Sequence, residues 1–225
     1  MKIDKIFIVH YDKHVNRKLD LEPNIQKLGI TYEFKSEFGR SHPYLPDSKY
    51  FDRSNENCNR RSEIFKHGLG MPDPCLGHHT GYRAVTLEHY FIYKSILEDE
   101  SLKNVLILED DVCFKDGFYE QFDVYIDSIP QDYDIAYLGH GCGLNLPQNT
   151  DKLFGLHPQR KSRCSDSYVI NRNSTEQLVN HLLPFYAAID WELTYVQNLQ
   201  KMNVYWCTNP LIVQGSQTGI YESSF

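Results

Sequence analysis

Val105-Leu106-Ile107-Leu108-Glu109-Asp110-Asp111 sets four apolar residues directly against three acids. A continuous apolar run of this kind reads as a strand covered on both faces, as in parallel α/β sheets. Side chains alternate along a strand, so Glu109 and Asp111 project to one side and Asp110 to the other. Two carboxylates facing one space raise each other's proton affinity unless a positive charge lies between them. A divalent cation answers that requirement, because Mg²⁺ and Mn²⁺ take oxygen ligands and share one or two protein carboxylates with substrate phosphates. Open α/β sheets bind ligands outside the carboxyl ends of their strands, which is where the triplet falls. The plainer alternative is a solvated acidic turn.

Outward from this run, strands and helices alternate. Residues 5–10 read as a buried strand and 31–35 as a second, with a helix between them that has Pro23 in its first turn and is closed by Gly29. Residues 36–76, rich in Ser, Asn, Asp, Pro and Gly, read as a long excursion that could cover a site. The strongest helix signal is 80–98, where Val85, His89, Ile92 and Ile96 share one face. Strand 104–109, helix 117–128 and strand 134–138 follow. A loop over 139–163 precedes strand 167–171, a helix near 175–183, a helix starting near Asp190, and strands at 204–207 and 211–213.

The 225 residues, 41% of them hydrophobic and 13% aromatic, are enough to bury a core, and one domain is expected. A net charge of −7 offers no broad positive field for nucleic acid. The apolar run Ile6-Phe7-Ile8-Val9 is too short for a membrane span or a signal-peptide core, so a cytoplasmic protein is expected. The six cysteines are widely spaced, which favours reduced thiols. Cys58, His67, Cys75 and His78 have partial zinc-ligand spacing, against the simpler reading of ordinary thiols and loop histidines. Gly139-His140-Gly141-Cys142-Gly143 follows a strand and would let backbone amides approach a sugar or phosphate, with Gly139 as the first position. No Lys-Ser or Lys-Thr follows it, and no dinucleotide fingerprint opens a helix after the first strand, so kinase and dehydrogenase readings lose support.

Leu108-Glu109-Asp110-Asp111 with Phe114 resembles the signature of glycosyltransferase family 25, which includes lipooligosaccharide and procollagen galactosyltransferases. Residues 6–10 with Arg17, the helix carrying His89, residues 134–139 and 167–172, and Asp190 are similar to the family's segments in order. Glu88 stands where the family usually has Ser, and Tyr82 where it often has Glu. The resemblance implies a single GT-A-like α/β domain with a mostly parallel sheet flanked by helices. It implies a UDP-sugar donor with Mn²⁺ or Mg²⁺, the metal held by Glu109 and Asp111. The reaction implied is inverting transfer of a hexose, galactose or glucose, to a hydroxyl of a glycan or of a hydroxylated collagen-like protein. His10, Arg17, His89, Asp110, Gln214 and Ser216 match the family's donor-binding positions. Asp190 is the first choice as base and Glu192 the second. Asp190 equally suits a helix N-cap, and His89 a core histidine. A metal-dependent nucleotidyltransferase or phosphohydrolase, and a non-catalytic sugar-nucleotide-binding protein, are the rival readings.

Overall fold

A computed structural model describes residues 1–45, 49–52, 80–147 and 150–223. Strand β1 (Lys5–Val9) is apolar after Lys5 and lies between β2 (Tyr32–Lys35) and β3 (Asn104–Glu109), parallel to both. Among the described residues the sheet continues through β7 (Ser167–Asn171), β5 (Ile135–Tyr137), β8 (Val204–Cys207) and β6 (Phe154–Leu156), in the order β2-β1-β3-β7-β5-β8-β6. Five of these strands point one way, so the sheet is mostly parallel, as expected. β7 runs against both its neighbours, β3 and β5, and β6 runs against β8.

Alternation along the strands divides the core into two layers. Phe7, Val105, Ile107, Tyr137, Tyr168 and Trp206 face one way, beneath helices α2 (Thr80–Glu98), α4 (Arg172–Leu182) and α5 (Ile189–Leu199). Ile6, Ile8, Leu106, Leu108, Ala136 and Val169 face the other way, beneath α1 (Val15–Gln26) and α3 (Phe118–Ser128). Within α2, His89, Ile92 and Ile96 are buried on the face that the spacing predicts. Each layer is closed by side chains in contact with the strands, which is why the apolar run of β3 tolerates no polar residue until Glu109.

Three expectations need correction. Helix α1 begins at Val15, so Pro23 lies inside it rather than in its first turn; Gly29 does take the left-handed conformation after the helix, at φ 63°. The loop over 139–163 contains a 3-10 turn (Gly141–Gly143) and edge strand β6. β3 ends at Glu109, so Asp110 and Asp111 form a turn rather than continuing the strand alternation; the chain then forms β4 (Val112–Phe114), paired antiparallel with β9 (Ile212–Gln214), which leads into the short helix α6 (Gly215–Thr218). Part of the 36–76 excursion packs on the core, with Phe38, Leu45 and Phe51 buried. Its remainder, and with it Cys58, His67, Cys75 and His78, lies outside the described residues. Among the described residues no helix is long and apolar enough to cross a membrane.

Candidate active site

The three acids at the end of β3 have two kinds of partner. Asp110 turns toward the start of the chain and is nearly enclosed. Its Oδ2 pairs with His10 Nδ1 at 2.9 Å and His14 Nδ1 at 3.2 Å and accepts the Tyr11 N–H at 3.2 Å, while Oδ1 accepts from Arg17 Nη1 at 2.9 Å. Burial alone would raise its proton affinity, but these hydrogen bonds outweigh it and hold the carboxyl well below the usual carboxylate range. Arg17 also donates to the Glu222 carbonyl at 2.6 Å, so the same cluster ties down the C-terminal segment.

Glu109 and Asp111 face a cavity of about 430 Å³ at the carboxyl edge of the sheet. Glu109 Oε1 accepts the Ser165 hydroxyl at 2.6 Å, and His89 Nε2 stands 3.6 Å from the same oxygen. Asp111 Oδ2 accepts the Ser216 hydroxyl, and its backbone carbonyl accepts the Gly215 N–H at 2.7 Å, so α6 grips this residue twice. Asp111 Oδ1 is buried and has no partner. Burial, then the nearby Glu109 charge, pushes the Asp111 carboxyl up to about 6. Asp190, on the first turn of α5, lines the same cavity and is likewise raised to about 6, by burial first and by Glu109 after it. A fourth carboxylate, Asp166, is fully buried behind them; burial and Glu109 push it well above the usual range.

This is a set of oxygen donors crowded by negative charge, with buried carboxylate oxygens of Asp111 and Asp166 unsatisfied, and it fits a hard divalent cation. Glu109 and Asp111 are the residues that would hold it. Among the described residues no group of three or more His, Cys, Asp and Glu side chains is arranged to enclose an ion. A pair of carboxylates leaves the other positions to water and substrate phosphate, the usual arrangement for Mg²⁺ at phosphate sites.

The expected residues divide cleanly. His10, Arg17, Glu109, Asp110, Asp111, Asp190, Gln214 and Ser216 line the cavity; His89, Gly139 and Glu192 do not. His89 is fully buried and bonds Tyr168 Oη at 2.9 Å, so it backs Glu109 from inside the core. Gly139 is a point of close approach, but to Asp166: an added Cβ would stand 2.0 Å from Asp166 Oδ2. Glu192 is buried, and its Oε1 accepts the Tyr186 and Ala187 amides at 2.6 and 3.0 Å, which anchors the segment before α5. Asp190 is not the N-cap of α5, a position held by Ala188. The positions of Asp110, His10 and Arg17 are those of a bracing cluster at the cavity edge, because they satisfy one another.

Comparison with known proteins agrees with this part of the chain. Residues 80–158, which carry α2, β3 and the acidic triplet, match the sequence profile of glycosyltransferase family 25, described as an LPS biosynthesis protein family. Two proteins of Acanthamoeba polyphaga mimivirus are similar to this chain. One, named as a procollagen lysyl hydroxylase and glycosyltransferase, is 29% identical over 101 residues, 42% of this chain and 11% of that protein. The other, named as a glycosyltransferase, R655, is 26% identical over 137 residues, 60% of this chain and 37% of that protein. The chain thus spans well under half the length of either. Among solved structures, a glycosyltransferase involved in glycosylation of the major capsid of PBCV-1 superposes with TM-score 0.48 at 9% identity, over 95% of this chain and 92% of that one. A mutant Drosophila β-1,4-galactosyltransferase 7 in complex with manganese, UDP-Gal and xylobiose gives TM-score 0.47 at 9% identity, over 100% and 76%. Likeness at that level assigns no role to any residue here.

Glu88 was singled out in the sequence only as a departure from the family pattern. It lines the cavity at 3% exposure, accepts the Phe38 N–H at 3.0 Å through Oε2, and leaves Oε1 without a partner. Burial pushes its carboxyl up to about 7. Ionisation therefore costs the folded state more than the unfolded one, and that cost accrues as pH rises from about 4.3 to about 7. Glu88→Gln is expected to raise stability by about 1–3 kcal/mol at pH 8 and by much less at pH 5. Denaturant unfolding at the two pH values checks this.

Asp110 has the opposite sign. Its contribution is present above the unfolded value of about 3.9 and is lost as pH falls below it. Asp110→Asn is expected to cost about 3 kcal/mol at pH 7, with the gap to wild type narrowing in acid. Equal unfolding midpoints at pH 7 would contradict the bracing role.

Proposed function

We propose that this chain is a metal-dependent glycosyltransferase that moves a hexose, galactose or glucose, from a UDP-sugar to a hydroxyl of a glycan or of a hydroxylated collagen-like protein, with inversion. The observation that carries the reading is the pairing of Glu109 and Asp111 on one cavity, with Asp111 Oδ1 unsatisfied and Asp190 on the wall of the same space. The family 25 match over 80–158 supports transfer as the reaction class.

Glu109 and Asp111 would hold Mn²⁺ or Mg²⁺, which when bound neutralises charge on the departing nucleoside diphosphate. Ser165 and Ser216 fix the two carboxylates so that neither must reorganise during the reaction. Asp190 is the base. Its Oδ1 accepts the Trp191 N–H at 3.0 Å, leaving Oδ2 to take the acceptor hydroxyl proton. A carboxyl raised to about 6 is still mostly ionised at neutral pH, yet basic enough to remove a proton as the bond to the sugar forms. Gln214 and Ser216 line the cavity, as does Ser223 of the segment that Arg17 holds through the Glu222 carbonyl.

Product analysis tests the proposal. With Mn²⁺ and a panel of UDP-sugars, release of UDP dependent on an acceptor hydroxyl is expected. Asp190→Asn should lower turnover at least 100-fold while leaving donor affinity within about threefold. Release of pyrophosphate or inorganic phosphate would favour the nucleotidyltransferase or phosphohydrolase reading. Binding without turnover of any donor would favour a sugar-nucleotide-binding protein.

A further inference from the structure

Two thiols in the cavity wall take no part in the chemistry above. Cys142, exposed, lies in the 3-10 turn after β5, and Cys164, buried, lies in the segment leading into β7. Their sulfurs are 3.3 Å apart, with Cys164 Sγ donating to Cys142 Sγ. The backbone is shaped around this meeting. A Cβ placed on Gly141 would stand 2.5 Å from Cys164 Cβ and 2.7 Å from its sulfur, so only glycine lets the turn sit on Cys164. Both cysteines occupy the left-handed region, at φ 51° and 61°, which residues with side chains seldom enter. Gln217 holds Cys142 from the other side: Oε1 accepts the Cys142 N–H, and Nε2 donates to the sulfur at 3.4 Å. The hydrogen bond from Cys164 outweighs burial and lowers the Cys142 thiol, which favours its thiolate.

We propose that Cys142 and Cys164 form a covalent modification site in which hydrogen peroxide oxidises the pair to a disulfide, loosening the grip on Glu109 and Asp111. The Cys142 thiolate attacks the peroxide; the O–O bond breaks, hydroxide leaves with the electron pair and takes up a proton, and Cys142 becomes a sulfenic acid. Cys164 sulfur then displaces that oxygen as water, so two sulfurs are oxidised and one peroxide is reduced to two waters. A disulfide sets the sulfurs about 2.05 Å apart, so the pair must close by about 1.2 Å from its 3.3 Å separation. Cys164 adjoins Ser165, which holds Glu109, and Gln217 adjoins Ser216, which holds Asp111. Closure therefore pulls on both clamps, a consequence that rests on the reading of these carboxylates as the metal–nucleotide site.

Reduced protein treated with hydrogen peroxide, digested with trypsin without reductant and analysed by mass spectrometry tests the site. Tryptic peptides 116–152 and 164–172 each contain one cysteine, so their cross-link is unambiguous. We expect this pair to be the main disulfide, to vanish in Cys142→Ser and Cys164→Ser, and to be reversed by a phosphine reductant. Oxidised wild type is expected to bind Mn²⁺–UDP at least fivefold more weakly than reduced protein, with no such change in either Ser variant. Absence of the cross-link overturns the proposal, as does a cross-linked protein that binds Mn²⁺–UDP with unchanged affinity. If reduced wild type binds no Mn²⁺–UDP, the reading of the carboxylates fails, and the cross-linked peptide alone decides the thiol site.

Discussion

The burial of Asp110 is the constraint on which the rest of the site depends. An isolated carboxylate at that depth would be neutral or would unfold the segment around it. Here it is matched by donors from His10, Tyr11, His14 and Arg17, all drawn from the end of β1 and the start of α1. The chain leaving β3 is thus fixed to the chain leaving β1, two parallel neighbours with no direct connection. β3 ends at Glu109, and Asp110 and Asp111 form the turn that follows, so anchoring Asp110 fixes the turn that sets Asp111 beside Glu109 on the cavity. The neutralised acid positions the two that are not neutralised.

Those two sit among like charges. Glu109, Asp111, Asp166 and Asp190 converge on one end of the sheet, and burial first raises the proton affinities of Asp111, Asp166 and Asp190. A solvated acidic turn would not show this pattern. The protein keeps the carboxylates close with serine hydroxyls and backbone amides rather than with lysine or arginine, so their charge remains available. Stability is given up locally where a ligand would restore it, as at other sites built for function rather than for rigidity.

Much of this was legible from residue order. The apolar run of β3 with its acidic end, and the spacing of Val85, His89, Ile92 and Ile96, reported the central strand and the longest helix, because both are set by local periodicity. The reversed direction of β7 was not legible: Ser167–Asn171 is apolar enough to be central in either direction, and only its pairing with β3 and β5 decides. That reversal brings Ser165 and Asp166 to the end of β3, so these two residues could not be placed beforehand. Glu192 and Gly139 were assigned toward a ligand on residue type and position. Glu192 instead satisfies backbone amides and Gly139 makes room for Asp166, contacts that depend on chain segments meeting in three dimensions.

The division of labour among the three acids is tested most directly by Mn²⁺ binding in the presence of UDP, followed by titration calorimetry or by the loss of the free Mn²⁺ electron paramagnetic signal. Wild type is expected to bind the ion, and Asp111→Asn to lose at least tenfold in affinity while melting no lower than wild type in the absence of metal. Undiminished Mn²⁺ affinity in that variant would contradict the account.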